Sequence, residues 1–191
     1  NAKLAKQEGK LAVSKLVNSK LIARLNEVEK QAYSNEQYSQ KECLELSRLP
    51  NTISDENLES TVLKVFSKIY VNISPDNVQA CHRLSSRGNG PKKVIIKLSR
   101  RKEVMEVLAN KSNLKNVGLE DIGIDGDCIV YINESLCSHY RYLWSKCKAL
   151  WKEKEIHVFF VSNGNIKIRK EEGGQVDTIG HISELIKKFP D

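Results

Sequence analysis

Twenty-one consecutive residues, His82 to Lys102, hold eight Lys and Arg side chains and not one carboxylate. The cations are Arg83, Arg87, Lys92, Lys93, Lys97, Arg100, Arg101 and Lys102. Ammonium and guanidinium groups brought to one region bind polyanions, because each phosphate they neutralise releases condensed counterions, and that affinity carries no sequence information. The bland alternative is a solvated charged loop. Asp and Glu supply 24 of the 191 residues, so a run this long without one argues against it. A second basic set, Arg141, Lys146, Lys148 and Lys152 followed by Lys167, Arg169 and Lys170, is balanced by acids around it. Arg141 and Lys148 share a helix face and Lys167 and Arg169 one side of a strand, so this set is either a further wall for the polyanion or ordinary surface ion pairs.

Catalytic chemistry finds no comparable arrangement. There is no G-x-S-x-G, H-E-x-x-H, phosphate-binding Gly loop or C-x-x-C. The histidines (His82, His139, His157, His181) lack a ligand spacing, and His82 beside Cys81 reads as an edge-of-strand pair. Asp125 and Asp127 around Gly126 read as a turn. Five cysteines without a C-x-x-C pair signal neither a disulfide framework nor a zinc ribbon and fit a reduced, intracellular protein. No catalytic residue, metal, cofactor or small-molecule substrate is expected. No apolar run reaches the roughly 20 residues of a membrane span, so no membrane partner is expected either. The net charge of +7, with 40% hydrophobic and 29% charged residues, describes a globular chain with a polyanionic partner or simply a basic one. The only methionine is Met105, so the chain reads as a fragment or processed product.

The elements that position these cations follow from periodicity. The first forty residues repeat every seven: Leu4, Leu11, Asn18, Leu25 and Ala32 on one position, Ser14, Leu21, Val28 and Asn35 three later. That is a coiled-coil seam, with the Asn residues as register-fixing polar layers; an amphipathic helix lying on a neighbouring domain is the alternative. Within it, Arg24-Leu25-Asn26-Glu27-Val28-Glu29 has the form R-h-x-x-h-E. In a parallel trimer such an Arg reaches the Glu of the adjacent helix while the apolar pair fills the axis. Leu21, Arg24, Leu25, Val28 and Glu29 are therefore the expected trimerisation residues.

Beyond Tyr38 the period becomes that of a strand over Cys43 to Leu49, stopping at Pro50. Ser54 opens a helix through Leu58, Val62, Val65, Phe66 and Ile69, and Val78 to Leu84 and Val94 to Leu98 are strands around a polar loop. Ser99 opens another helix with Val104, Val107 and Leu108, and Leu119 to Ile124 is expected to be the last strand. The order is βαββαβ, an antiparallel sheet with two helices on one face and the other face open. That face lacks the stacking aromatics of a base-reading sheet: it carries Cys43, Glu45 and Ser47, then Ile95, Lys97 and Ser99. After it come a helix striped by Leu136, Tyr140, Leu143, Cys147 and Leu150, with Trp144 and Trp151 beside the stripe, a hairpin turning at Asn163-Gly164, and a short helix through Ile182, Leu185 and Ile186. The expected class is α+β, with a coiled-coil helix at 1–41, an RRM-like domain at 42–124 and a small C-terminal domain at 125–191.

With these parts in this order the chain resembles the first-open-reading-frame proteins of LINE-type (non-LTR) retrotransposons. The resemblance rests on RLNEVE at Arg24 to Glu29, YSQKECLELSRLP at Tyr38 to Pro50, HRL at His82 to Leu84, KKVIIKL at Lys92 to Leu98 and NGNIKIRK at Asn163 to Lys170. It implies a homotrimeric, non-enzymatic protein that binds RNA and single-stranded nucleic acid, coats the element's RNA and acts as a nucleic-acid chaperone. Its implied location is cytoplasmic ribonucleoprotein particles, with the nucleus second. Arg83, Lys92 and Lys93 are the first implied phosphate contacts. Two positions depart from the pattern: Gln40-Lys41 stands where relatives often have an Arg-rich pair, and Arg48 where a Gly is common, which places a replacement charge nearby. A coiled-coil scaffold protein with an incidental basic loop is the competing expectation.

Overall fold

The computed structural model describes residues 2–85, 90–126 and 128–190. The elements run α1 Ala2–Ser39, β1 Cys43–Ser47, α2 Asp55–Lys68, β2 Val78–Arg83, β3 Val94–Leu98, α3 Arg101–Asn110, β4 Tyr131–Glu134, α4 Ser138–Lys152, β5 Val158–Ser162, β6 Asn165–Arg169, β7 Val176–Ile179 and α5 Ile182–Lys188. They divide into two compact units, one of residues 38–136 with 161–164, the other of residues 1–37, 137–160 and 165–191. The chain is thus a mixed α+β protein with a long N-terminal helix and antiparallel sheets.

In the first unit the strands lie in the order β2-β3-β1-β4, every neighbouring pair antiparallel. Alternation decides which side chains enter the core: Leu44 and Leu46 of β1, Val94, Ile96 and Leu98 of β3 and Ile132 of β4 are all buried in one cluster. The same cluster takes Leu58, Val62, Val65 and Phe66 of α2 and Val104 and Val107 of α3, the i, i+4, i+7 stripes that cover one face of a sheet. Asp55 and Glu56 in the first turn of α2 and Lys68 in its last match the helix dipole. Truncating Phe66, which is fully buried, to Ala would cost about 3–5 kcal/mol. Ser54 does sit at the N-cap, but its side chain makes no capping bond and accepts from Asn57 instead. Ser99 lies one residue before the N-cap of α3, and its hydroxyl donates to the Asn77 carbonyl.

Three expectations need correction. Leu119 to Ile124 is not a strand: Glu120–Ile122 forms a 3-10 turn, and the two apolar residues that it buries, Leu119 and Ile122, are spaced by three, the repeat of a turn rather than of a strand. The fourth strand is Tyr131–Glu134, paired with β1 from Leu44↔Glu134 to Ser47↔Tyr131. The sheet-bearing unit therefore extends past residue 124 to Leu136. Nor is the second sheet face open at β1, where Cys43 and Glu45 are 7% and 4% exposed.

The second unit builds on α4, whose Tyr140, Leu143 and Cys147 are buried as their spacing predicts. β5 and β6 are joined through Asn163 and Gly164, which cluster with the first unit and have φ of 54° and 75°, the left-handed pair of a type I′ turn. β7, not anticipated, pairs with β6. His181 caps α5: its Nδ1 faces the Ser183 N–H at 3.3 Å, and the Glu184 carboxylate accepts from the Gly180 N–H at 2.7 Å and the His181 N–H at 3.3 Å. The end of α1 belongs to this packing. Tyr33 stacks on His139 with centroids 3.7 Å apart, Lys30 pairs with Glu184 at 2.6 Å, and the buried Gln37 accepts the Cys137 N–H at 2.8 Å. Higher up, every residue from 6 to 25 is exposed.

Candidate nucleic-acid interface

β3 carries the basic segment and sets its geometry. Val94, Ile96 and Leu98 face the core, so Lys93 and Lys97 fall on the opposite face. Lys92 and Lys93 precede the strand, and Arg100, Arg101 and Lys102 follow it. At about 3.3 Å per residue the two groups lie roughly 20 Å apart, so the cations form a line along β3 with a cluster at each end rather than one convergent patch. Lys92, Lys93, Arg100, Arg101 and Lys102 are exposed and Lys97 is half-buried opposite Cys43 of β1. Arg87 lies outside the described residues.

Arg83 is placed differently. Its Nη2 donates to the Pro50 carbonyl at 2.5 Å, with Ile53 O at 3.5 Å, and its Nη1 faces Leu49 O, Lys92 O and Asn51 Oδ1 at 3.4, 3.4 and 3.5 Å. Asn51 Oδ1 also accepts the Lys92 N–H at 2.9 Å. The guanidinium thus braces the loop after β1 and, through it, the backbone of Lys92. Lys93 forms an ion pair with the buried Glu45 at 2.8 Å, which offsets part of the cost of holding a carboxylate off the water.

At the same end of β1, just before this loop, Arg48 has φ of 68°, a left-handed conformation that glycine adopts at no steric cost. Its guanidinium lies 4.8 Å from the ring centre of Tyr131, within cation–π range. Tyr131 is paired across from Ser47 and exposed, so the non-core face does present an aromatic ring. The sequence hides this ring because Leu119 to Ile124 competes for the fourth strand; the apolar run Ile129-Val130-Tyr131-Ile132 is the signal that points to it.

In the second unit Arg141 and Lys148 are exposed on α4, and Lys167 and Arg169 are half-buried on β6. The Nε of Arg169 is enclosed without a hydrogen-bond partner. Of the trimerisation candidates, Leu21, Arg24, Leu25 and Val28 are exposed, while Glu29 is half-buried with a carboxylate oxygen 3.3 Å from His181 Nε2. Burial pushes the thiols of Cys81 and Cys147 up to about 11, and those of Cys43 and Cys137 upward as well. Thiols held protonated in this way are poor nucleophiles. Among the described residues there is no cluster of His, Cys, Asp and Glu fit to hold a metal ion, and no helix is long and apolar enough to cross a membrane.

No protein-family model matches the chain, and no curated protein does. Among solved structures it is similar to the RRM3 domain of Mip6, with a TM-score of 0.32 and 12% identity over 50% of this chain and 95% of that one. A likeness at that level leaves the function to be argued from the residues.

Proposed function

We propose that this chain is a non-enzymatic protein that binds RNA and other single-stranded nucleic acid through its backbone. The observation that carries the reading is the start of α3. Arg100 stands at its N-cap and Arg101 and Lys102 in its first turn, all exposed. A helix N-terminus favours anions, and each cation there costs about 0.3–1 kcal/mol. Three adjacent cations in the wrong place for stability are accounted for by a phosphate that the same N-terminus and the same side chains would hold. Lys97, Lys93 and Lys92 continue the line along β3. Arg48 with Tyr131 offers a stacking partner at the edge of the same unit.

The sheet order supports an RRM-like reading of residues 38–136. The resemblance to the first-open-reading-frame proteins of LINE-type retrotransposons extends the proposal to a chaperone that coats element RNA in cytoplasmic ribonucleoprotein particles. The helix supports self-association. At 38 residues it is roughly 57 Å long, and its exposed apolar side chains include Leu11, Val17, Leu21, Ile22, Leu25 and Val28. A parallel homotrimer would cover them and present three copies of the cationic line, so that modest contacts combine through avidity. Of these side chains, Leu11, Leu21, Leu25 and Val28 lie on the seven-residue seam and Val17 and Ile22 flank it, whereas Val13 and Leu16, also exposed, lie on the outer face of the coil.

Binding of a labelled single-stranded RNA, with the mass of the free protein from light scattering, tests both parts. Affinity that falls steeply between about 50 and 200 mM salt, and a mass threefold the 21.7 kDa of one chain, are expected. RNA binding that is absent or indifferent to salt would favour the scaffold reading, and a monomeric mass would remove the trimer.

A further inference from the structure

The second unit holds an open cleft of about 740 Å³ lined by Trp151, Lys152, Lys154, Ile156, His157 and Lys170, with Glu171 and Glu172 also at its wall. We propose that this cleft is a base-stacking subsite. One unpaired, amino-bearing base of a single-stranded nucleic acid lies on the Trp151 indole, and the adjoining phosphate lies on the flanking lysines. The proposal rests on the nucleic-acid reading above and names a contact that the cationic line of β3 does not supply.

The local chain explains why the cleft exists. Trp151 and Lys152 form the last turn of α4. Lys154, with φ of 64°, turns the chain back so that the Glu155 N–H bonds to the Leu150 carbonyl at 2.9 Å. Ile156 then drops into the core at 2% exposure and forms the floor. The His157 N–H faces the Arg169 and Lys170 carbonyls at 2.9 and 3.0 Å, tying that floor to the end of β6, where Lys170 lies 5.3 Å from the Phe189 ring centre. Phe159 backs the indole, with centroids 6.2 Å apart, and itself packs on Trp144 at 4.4 Å.

The two tryptophans, seven residues apart on one helix, therefore have different surroundings. Trp144 is half-buried against Phe159, whereas Trp151 remains 49% exposed over a cleft. A large aromatic held on one side and open on the other, with cations beside it, is the arrangement on which unpaired bases stack. The carboxylates of Glu171 and Glu172 decide between ligand classes. They would repel a continuous anionic membrane surface, yet they accept hydrogen bonds from the exocyclic amino groups of cytosine or adenine, which uracil lacks.

The test uses the full chain with Trp144→Phe, so that Trp151 alone reports by fluorescence. Oligo(C) and oligo(A) are expected to quench its emission, oligo(U) to bind more weakly, and an abasic oligomer of equal length to leave it unchanged. With both tryptophans otherwise natural, Trp151→Ala should weaken oligo(C) binding roughly tenfold and Trp151→Phe should keep it within about twofold. The salt slope should stay the same in both, because no phosphate contact is removed. Wild-type affinity in Trp151→Ala, equal quenching by the abasic oligomer, or a response to phosphatidylserine vesicles in place of oligonucleotide would overturn the subsite. Equal binding of oligo(U) would overturn its base preference. The Trp151→Ala comparison decides by itself if Trp144→Phe does not fold. Salt-sensitive binding that survives a failed subsite leaves the functional reading standing, whereas a wild type that binds no oligonucleotide overturns that reading and the subsite with it.

Discussion

Replacing Arg83 separates a cation that grips phosphate from one that builds the surface around it. Its one short bond, 2.5 Å to the Pro50 carbonyl, is a charge-assisted hydrogen bond of about 1.5–3 kcal/mol. The other four, at 3.4–3.5 Å, are at the long limit and add little. Arg83→Ala should therefore destabilise the 38–136 unit by about 2–3 kcal/mol. At about 4–8 °C per kcal/mol for a domain of this size, its melting transition should fall by roughly 8–24 °C. Arg83→Lys keeps the charge but loses the planar fork, so it should recover only part of that stability while leaving the salt slope of RNA binding at the wild-type value. The assay pairs thermal denaturation by circular dichroism with RNA titrations well below the transition. A wild-type melting temperature in Arg83→Ala together with a shallower salt slope would refute the bracing role and return Arg83 to the phosphate contacts.

The remaining predictions concern burial and pH. Lys93→Ala removes a partner of the buried Glu45 and should cost about 1–3 kcal/mol, a loss that Glu45→Gln in the same chain should reduce, as read by urea denaturation. Burial holds the His139 imidazole below its ordinary range, with the Gly180 carbonyl offsetting only part of it. The unfolded chain then takes up the proton before the folded one does, so stability is present above the ordinary histidine pKa of 6.5 and is lost as pH falls through the folded value. Melting curves between about pH 7.5 and 5.5, spanning the usual histidine range, should show this loss, and His139→Gln should flatten it. Burial alone would raise Glu184, but Lys30 and the Gly180 N–H outweigh it and hold the carboxyl below its ordinary value of 4.5, so Lys30→Ala should shift acid unfolding toward higher pH. Cys128 alone among the five cysteines is exposed. A thiol reagent at pH 8 should therefore label one fast site in the native protein and five after denaturation.

Legibility followed the range of the interactions. The helical stripe of α2, the alternation of β3 and the Asn163-Gly164 turn depend on neighbours a few residues apart, and the sequence places all three correctly. The fourth strand is harder to read, because the apolar Leu119 and Ile122 are buried by a 3-10 turn while the strand itself is the short Tyr131–Glu134. Arg83 is indistinguishable in sequence from its basic neighbours, since its partner Pro50 lies 33 residues away. The stacking of Tyr33 on His139 and the split into two cation clusters along β3 likewise exist only once the chain has folded. Trp151 was visible beside its helical stripe, yet nothing local distinguishes it from Trp144.

The central claim, phosphate gripping by a line of cations on β3 and its ends, is tested most directly by the salt dependence of RNA affinity in two double variants. For a single strand each lost phosphate contact reduces the slope of log K against log salt by about 0.7. Arg101→Ala/Lys102→Ala should therefore lower it by about 1.4 and Lys92→Ala/Lys93→Ala by about 0.7–1.4, the smaller value if Lys93 stays on Glu45. Both variants showing the wild-type slope would contradict the account.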